Sequence, residues 1–300
     1  MDDKMINSMK DAGKASAEAL TLAKSIIKPG KSILEAAEEI EESMKAKGFQ
    51  LAFPVNLSIN EQAAHFTPET DDKSVFSGND LIKVDLGARK GTLLTDCAIT
   101  IDLSNKHAKL VEAVEEALSN AISTVKVGRQ LRDIGKEIEN TATKHGFKPI
   151  KNLGGHGISE TDLHADIFIP NYDNGDNTKL EEGQMIAIEP FLTTGRGQVE
   201  DSTYTAIFQK TAKCLTRSTE ARIVDSFIED NFVTYPFAAR WLSRALEELD
   251  DFKIRRGLAE LINAGALEPF PGLIEKGRGM VVQAEKSLIV QKDGCEIITK

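Results

Sequence analysis

The stretch Leu81-Ile-Lys-Val-Asp-Leu-Gly-Ala-Arg-Lys-Gly-Thr-Leu-Leu-Thr-Asp-Cys-Ala-Ile-Thr100 decides how the chain is read. Two strand-like runs, Leu81–Ala88 and Thr92–Asp102, flank a turn at Lys90-Gly91, the pattern of a β-hairpin. Asp85 lies in the first run and Asp96 in the second. Antiparallel pairing can bring both carboxylates to one face, where burial penalises each charge and the two repel one another. A divalent cation removes both penalties. The spacing of two aspartates is a weak signal by itself, and a second account stays open here: Asp96 satisfied by turn amides and Asp85 exposed on an edge.

Helices surround this hairpin. Apolar residues recur at helical spacing from about Ile6 to Ile27, ending at Lys28-Pro29-Gly30. A second helix starts at Ser32, where Glu35 completes a capping box, and carries the stripe Ile33, Ala36, Ala37, Ile40 and Met44 up to Gly48. Two more are expected at about Lys106–Val125 and Gln130–His145. A shift of 98 residues sets Lys28, Gly30, Glu39, Ile40, Glu41, Gly48 and Phe49 on identical residues, Lys126, Gly128, Glu137, Ile138, Glu139, Gly146 and Phe147. The repeated K-x-G entry and G-F exit point to a duplicated helix-helix-strand half-domain, with function at the seam between halves.

Further strands are expected at Leu51–Ile59, Met185–Leu192, Thr203–Phe208 and Met280–Val290. Helices alternating with hairpins indicate an α+β architecture, helices covering one face of a mainly antiparallel sheet. From Cys214 to Ile274 the pattern changes to short helices at Glu220–Asp230, Pro236–Glu248 and Arg255–Ala264, closed by a Gly/Pro-rich turn from Gly265 to Gly272. This reads as a helical, winged-helix-like insertion, so that 1–212 and 275–300 form one domain interrupted by 213–274. Its mixed charges and the apolar Phe237, Trp241 and Leu242 favour packing over groove reading.

With 37 Lys+Arg against 47 Asp+Glu the chain of 300 residues carries a net charge of −10, which repels phosphate backbones and anionic lipid. Nucleic acid or membrane is therefore not expected as the principal partner. Cys97, Cys214 and Cys295 are odd in number and widely spaced, which points to a reducing compartment, the cytoplasm. No apolar run approaches bilayer length.

Three further positions carry hard ligand atoms in glycine-rich or apolar strand contexts. They are His156 in Gly154-Gly155-His156-Gly157, Glu189 at the end of Met185-Ile-Ala-Ile-Glu-Pro-Phe191, and Glu285 inside Val281-Val-Gln-Ala-Glu-Lys-Ser-Leu-Ile-Val290. Each has a bland account, a turn histidine or a solvent-facing acid on an alternating strand. Together with Asp85 and Asp96 they give four carboxylates and one imidazole, a set able to hold two divalent ions about 3.5–4 Å apart, with Co, Mn, Fe or Zn suited to the ligands.

These five residues, with the duplication, resemble the pita-bread metallopeptidases. The strings Ala52-Phe-Pro-Val-Asn-Leu-Ser-Ile-Asn60, Ala63-Ala-His-Phe-Thr-Pro68, Ile188-Glu-Pro-Phe191 and Gly195-Arg-Gly-Gln198, with the late helical insertion, are similar to the type II methionine aminopeptidase family in its short archaeal form. The resemblance spans essentially the whole chain. It implies a curved antiparallel sheet, with Asp96 and Glu285 as bridging ligands, Asp85 on one metal, and His156 and Glu189 on the other. It further implies Glu189 as proton shuttle, His65 near the substrate amine, His164 near the scissile amide, and Phe53 in the methionine pocket. The implied partner is the N-terminal methionine of nascent polypeptides near the ribosome, acted on by a monomer with no membrane and no sequence-specific nucleic acid involved. His107 and His145, at helix ends, are expected at the surface. The family reads Phe before the last ligand and His-Thr after it, whereas Ala284, Lys286 and Ser287 stand here. Two rivals accompany this reading: a proline dipeptidase of the same fold, and a non-catalytic relative that binds ribosomes or RNA.

Overall fold

The computed structural model describes residues 3–160 and 162–300. Helices α1 (Asp3–Ile26) and α2 (Ile33–Lys45) lead into β1 (Gln50–Leu51), β2 (Asn56–Ile59), β3 (Gln62–Ala64), β4 (Leu81–Leu86), β5 (Ala88–Lys90), β6 (Leu93–Leu94) and β7 (Cys97–Asp102). The second half opens with α3 (Ala108–Thr124) and α4 (Leu131–Lys144), then β8 (Lys148–Pro149), β9 (Gly154–Ile158), β10 (Ala165–Pro170), β11 (Met185–Ile188), β12 (Phe191–Thr193) and β13 (Val199–Lys210). There follow α5 (Thr219–Asn231), β14 (Phe237–Ala238), α6 (Ala239–Ala245), α7 (Asp251–Asn263) and β15 (Leu267–Glu275). The chain closes with β16 (Val281–Gln283), β17 (Glu285–Gln291) and β18 (Gly294–Ile297).

The central sheet runs β10-β9-β11-β17-β7-β4-β2, with β18 paired to β17, and every pairing in it is antiparallel. Two apolar clusters cover it. Residues of α1 and α2, such as Ala19, Ile40 and Met44, bury Leu57, Val84 and Leu86. Residues of α3 and α4, such as Val114 and Ile138, bury Ile186, Ile188 and Leu288. The architecture is α+β, as the alternation of patterns implied.

The duplication is real in three dimensions. Ser32 caps α2, its hydroxyl accepting from the Glu35 amide at 3.3 Å. Gly30 donates its amide to Phe76 O and Gly128 to Leu180 O, both at 2.8 Å, and both glycines hold positive φ, +86° and +79°. That backbone state costs a side-chain-bearing residue about 1–2 kcal/mol, a physical reason for the repeated K-x-G entry. The halves meet where β7 lies beside β17, at the middle of the sheet.

The region after β13 has its own core, with Val224, Ile228, Phe237, Leu242, Leu258 and Leu261 packed together. Two expectations need correction here. The segment read as a turn from Gly265 to Gly272 is mostly strand, since β15 pairs with β13 over Leu267 to Glu275. Pro269 and Pro271 are tolerated because β3 reaches β15 only at Leu273 and Ile274, leaving the proline section with one neighbour. The helix read over Pro236–Glu248 shrinks to α6, because Phe237 and Ala238 pair with Phe208 and Ile207 as β14.

A buried ion pair fastens this region to the first half. The Arg240 guanidinium bonds Glu41 and the Thr67 hydroxyl, Trp241 Nε1 donates to Glu41 Oε2 at 2.9 Å, and Glu41 Oε1 accepts the Val55 amide at 3.2 Å. Such a pair gives little net stability but penalises the loss of either partner. Its partners bracket the segment from Val55 to Thr67. Among the described residues no helix is long and apolar enough to cross a membrane.

Candidate metal centre

The β4–β7 ladder puts Asp85 opposite Ala98 and Leu86 opposite Cys97. Asp96 precedes β7 by one residue, so it shares a face with Ala98 and stands diagonally across from Asp85. Asp96 is buried, its amide donates to the Ser287 hydroxyl, and its Oδ1 has no partner; the neighbouring Cys97 amide therefore satisfies the carboxylate only in part.

His156 sits in β9 between β11 and β10. A Cβ at Gly155 would stand 2.1 Å from Ala187 O, and one at Gly157 would stand 2.4 Å from Ala165 O. Only glycine lets the strands flanking this imidazole approach so closely. The ring directs Nδ1 to Gly157 O at 3.1 Å, which leaves Nε2 facing Asp96 Oδ2 at 3.5 Å and Glu285 Oε1 at 3.8 Å. With the proton on Nδ1, the Nε2 lone pair is free for a cation.

Glu285 is fully buried and neither of its carboxylate oxygens has a hydrogen-bond partner; Asp85 Oδ1 is orphaned as well. One group of ligand atoms within 4.8 Å of each other comes from Asp96, His156 and Glu285, and a second from Asp85, Glu189 and Glu285. The two groups share Glu285. Glu189 is drawn to the Asp85 side because Gln283 Nε2 donates to both, at 2.7 Å to Glu189 Oε1 and 3.1 Å to Asp85 Oδ2. Buried anionic oxygens without donors are costly, and a hard divalent cation is the partner that suits them. The residues present therefore fit divalent metal.

The electrostatics agree. Burial pushes the carboxyls of Asp85, Glu189 and Glu285 well up, and neighbouring acids add to it, Asp96 for Asp85 and Glu285, Asp85 for Glu189. Burial raises Asp96 to about 7 from 3.8. Without metal, the folded chain thus keeps the Asp96 proton between about pH 4 and 7 where the unfolded chain has lost it, and stability from this group falls as pH rises through that window. The other three acids, shifted the same way, extend the fall upward. His65 and His164, lowered to about 4 chiefly by desolvation, act oppositely, their contribution being lost as pH falls from 6.5 toward 4. Cations that bind the ionised carboxylates offset the first trend. The rise in melting temperature on adding Mn(II) is expected to be larger at pH 8 than at pH 5.5 by calorimetry; equal rises would contradict this electrostatic account.

A cavity of about 540 Å³ opens over these groups, lined by Phe53, His65, His164, Phe191 and Phe270 among others. His164 opens onto the cavity with its ring centroid 4.5 Å from that of His156. His65 follows β3 in the left-handed region (φ +63°), its Nδ1 3.2 Å from Pro271 O and its ring edge-on to Phe270. Phe53 is buried against Ala52, Leu94, Leu163 and Tyr235. Seven of the eight residues singled out from the sequence thus line this cavity, and the eighth, Glu285, is fully buried behind it with Oε1 3.8 Å from His156 Nε2. Lys286 stands opposite Cys97, which belongs to the helix-side core, so it faces away from the cavity while Glu285 faces in, and Ala284 packs in the apolar core with α3. His107 and His145 lie elsewhere; His145 Nε2 is 2.7 Å from Glu116 Oε2.

Gln283 is not among the residues that the sequence singles out. The signal was present, since it lies two residues before Glu285 and alternation gives both the same face, but a lone amide in a strand suggests no chemistry. The rim residue Phe168, 45% exposed, and Pro236 from beyond β13 were likewise unforeseen.

The model of metallopeptidase family M24 matches residues 7–233. The chain belongs to metallopeptidase family M24. Among curated relatives, the Pyrococcus horikoshii protein named methionine aminopeptidase is 42% identical over 99% of both chains. Among solved structures, a thermophilic Arx1 superposes with a TM-score of 0.86 at 18% identity, covering 99% of this chain and 91% of that one. The methionine aminopeptidase of Thermotoga maritima gives 0.73 at 24% identity, covering 100% and 98%. These superpositions establish the pita-bread fold. Membership of M24 makes the chain a metal-dependent peptide hydrolase.

Proposed function

We propose that this chain is a methionine aminopeptidase, removing the N-terminal methionine of nascent polypeptides as a cytoplasmic monomer working close to the ribosome. The observation that carries the reading is the convergence of orphaned Asp85, Asp96 and Glu285 oxygens with His156 Nε2 on the floor of a cavity whose wall includes Phe53. The 42% identity to a full-length relative of that name supports the substrate. We place domain boundaries at 1–212 and 275–300 for the catalytic unit and 213–274 for the insertion.

Asp96 and Glu285 would bridge two divalent ions (Co, Mn, Fe or Zn), Asp85 would complete one site, and His156 and Glu189 the other. When bound, such a pair lowers the pKa of water to near neutrality and polarises the scissile carbonyl. Gln283 holds Glu189 Oε1 beside Asp85, so sharing one ion with His156 would require the Glu189 carboxylate to swing from Gln283 toward the Asp96 side. Glu189 accepts the proton of the attacking water and returns it to the leaving amine. His164, neutral at pH 7 because desolvation and His156 hold it near 4, donates a hydrogen bond to the developing oxyanion. His65, held by Pro271 O, faces the substrate's free amine, and Phe53 packs against the methionine side chain.

A peptide panel tests the reading. Met-Ala-Xaa peptides are expected to lose methionine in the presence of Mn(II) or Co(II), while N-acetylated copies and Xaa-Pro dipeptides stay intact. Cleavage of Xaa-Pro without cleavage of Met-Ala-Xaa would transfer the chain to the dipeptidase reading. Salt-sensitive RNA binding with neither cleavage nor bound metal would favour the non-catalytic one.

A further inference from the structure

The two halves of the sheet meet between β7 and β17 through only two registered pairs, Glu285 with Ala98 and Lys286 with Cys97. Continuing that register sets Ser287 opposite Asp96 at one end and Gln283 opposite Thr100 at the other. In an antiparallel ladder every second facing pair exchanges backbone N–H···O=C bonds, and Gln283/Thr100, Glu285/Ala98 and Ser287/Asp96 are alternate pairs. At both ends a side-chain hydroxyl takes the ladder's place. Thr100 Oγ1 donates to Gln283 O at 2.7 Å and accepts from Gln283 N at 2.9 Å. Ser287 Oγ donates to Asp96 O at 2.8 Å and accepts from Asp96 N at 2.8 Å. One hydroxyl thus satisfies both backbone groups of the facing residue.

The exchange is reciprocal. The first half lends Thr100 to Gln283 of the second, and the second lends Ser287 to Asp96 of the first. Each hydroxyl residue also has a strand neighbour on its other side: Thr100 is in register with Lys83 of β4, while the Ser287 amide donates to Thr299 Oγ1 at 3.0 Å and its carbonyl accepts from Ile298 N at 2.9 Å. All four clamped or clamping residues are buried. The residues so gripped are those of the centre: Asp96 itself, and Gln283, whose amide holds Asp85 and Glu189. Glu285 lies between the two clamps on β17.

We propose that Thr100 and Ser287 are positioning residues, a pair of hydroxyl wedges that set the spacing between the strands bearing Asp96 and Glu285 and thereby the separation of the two ions. The inference rests on the dinuclear reading above. A hydroxyl interposed between two backbones fixes a wider gap than a direct amide-to-carbonyl bond, and groups that orient ligands from behind govern metal affinity about 10–100-fold.

The test is calorimetric titration of Mn(II) into the metal-stripped full chain, with melting temperature and circular dichroism recorded on the same samples. Ser287→Ala and Thr100→Val are each expected to fold and to bind Mn(II) about 10–100-fold more weakly. Ser287→Thr and Thr100→Ser, which keep the hydroxyl, should bind as the unaltered chain does. Hydroxyl-free variants that fold and take up two ions with unaltered affinity would overturn the proposal, leaving these bonds a role in sheet stability alone. So would weakened binding in Ser287→Thr and Thr100→Ser equal to that of the hydroxyl-free pair. Should Ser287→Ala not fold, Thr100→Val decides by the same criterion. No Mn(II) bound by the unaltered chain would instead overturn the dinuclear reading itself.

Discussion

Replacing Glu285 with glutamine is expected to empty both ion positions at once, abolishing turnover, while the metal-free chain becomes no less stable. The side chain belongs to both ligand groups, so its loss removes an anionic oxygen from each. It is also fully buried with two unpartnered oxygens, and burial first, then the neighbouring Asp96, Glu189 and Asp85, push its carboxyl well up. In the absence of cations a neutral amide of the same size relieves that repulsion. Metal content after dialysis is expected to drop from two ions per chain to none in Glu285→Gln and to one in Asp85→Asn. The metal-free melting temperature of Glu285→Gln should match or exceed that of the unaltered chain. Two retained ions would remove Glu285 from the role of bridge.

Glu189→Gln should act differently. The glutamine keeps the size of the side chain but cannot take a proton, and loss of a general base typically costs about 10²–10⁴ in rate. The expected signature is a fall in kcat of about that size, with the melting temperature and KM for a Met-Ala peptide nearly unchanged. Gln283 already holds Glu189 Oε1, so part of the local arrangement survives the change. A kcat within a factor of about three of the unaltered chain would take the proton transfer away from Glu189.

The acids of the centre were legible in the sequence because a carboxylate in a buried strand context is anomalous; Asp85 stands between Val84 and Leu86, Asp96 directly before buried Cys97 and Ala98, and Glu285 after the buried Val281-Val-Gln-Ala284. His156 was legible through its glycines, whose absence of Cβ the strand packing at Ala187 and Ala165 requires. The helices and their repeat could be read because stripe, cap and stop are local signals, as Ser32 and Gly30 illustrate. Strand β15 was not legible, since Pro269 and Pro271 signal a turn and are tolerated only because one edge there lacks a partner. The grouping of Glu189 with Asp85 was also hidden. It depends on a hydrogen bond from Gln283, a residue 94 positions away, and no local pattern encodes such a contact.

Anomalous scattering from crystals grown with Mn(II) tests the central claim most directly. Two peaks about 3.5–4 Å apart are expected, one among Asp96, His156 and Glu285, the other against Asp85, with Glu285 touching both. A map without peaks at these side chains, or with a lone ion that leaves Glu285 uncoordinated, would contradict it.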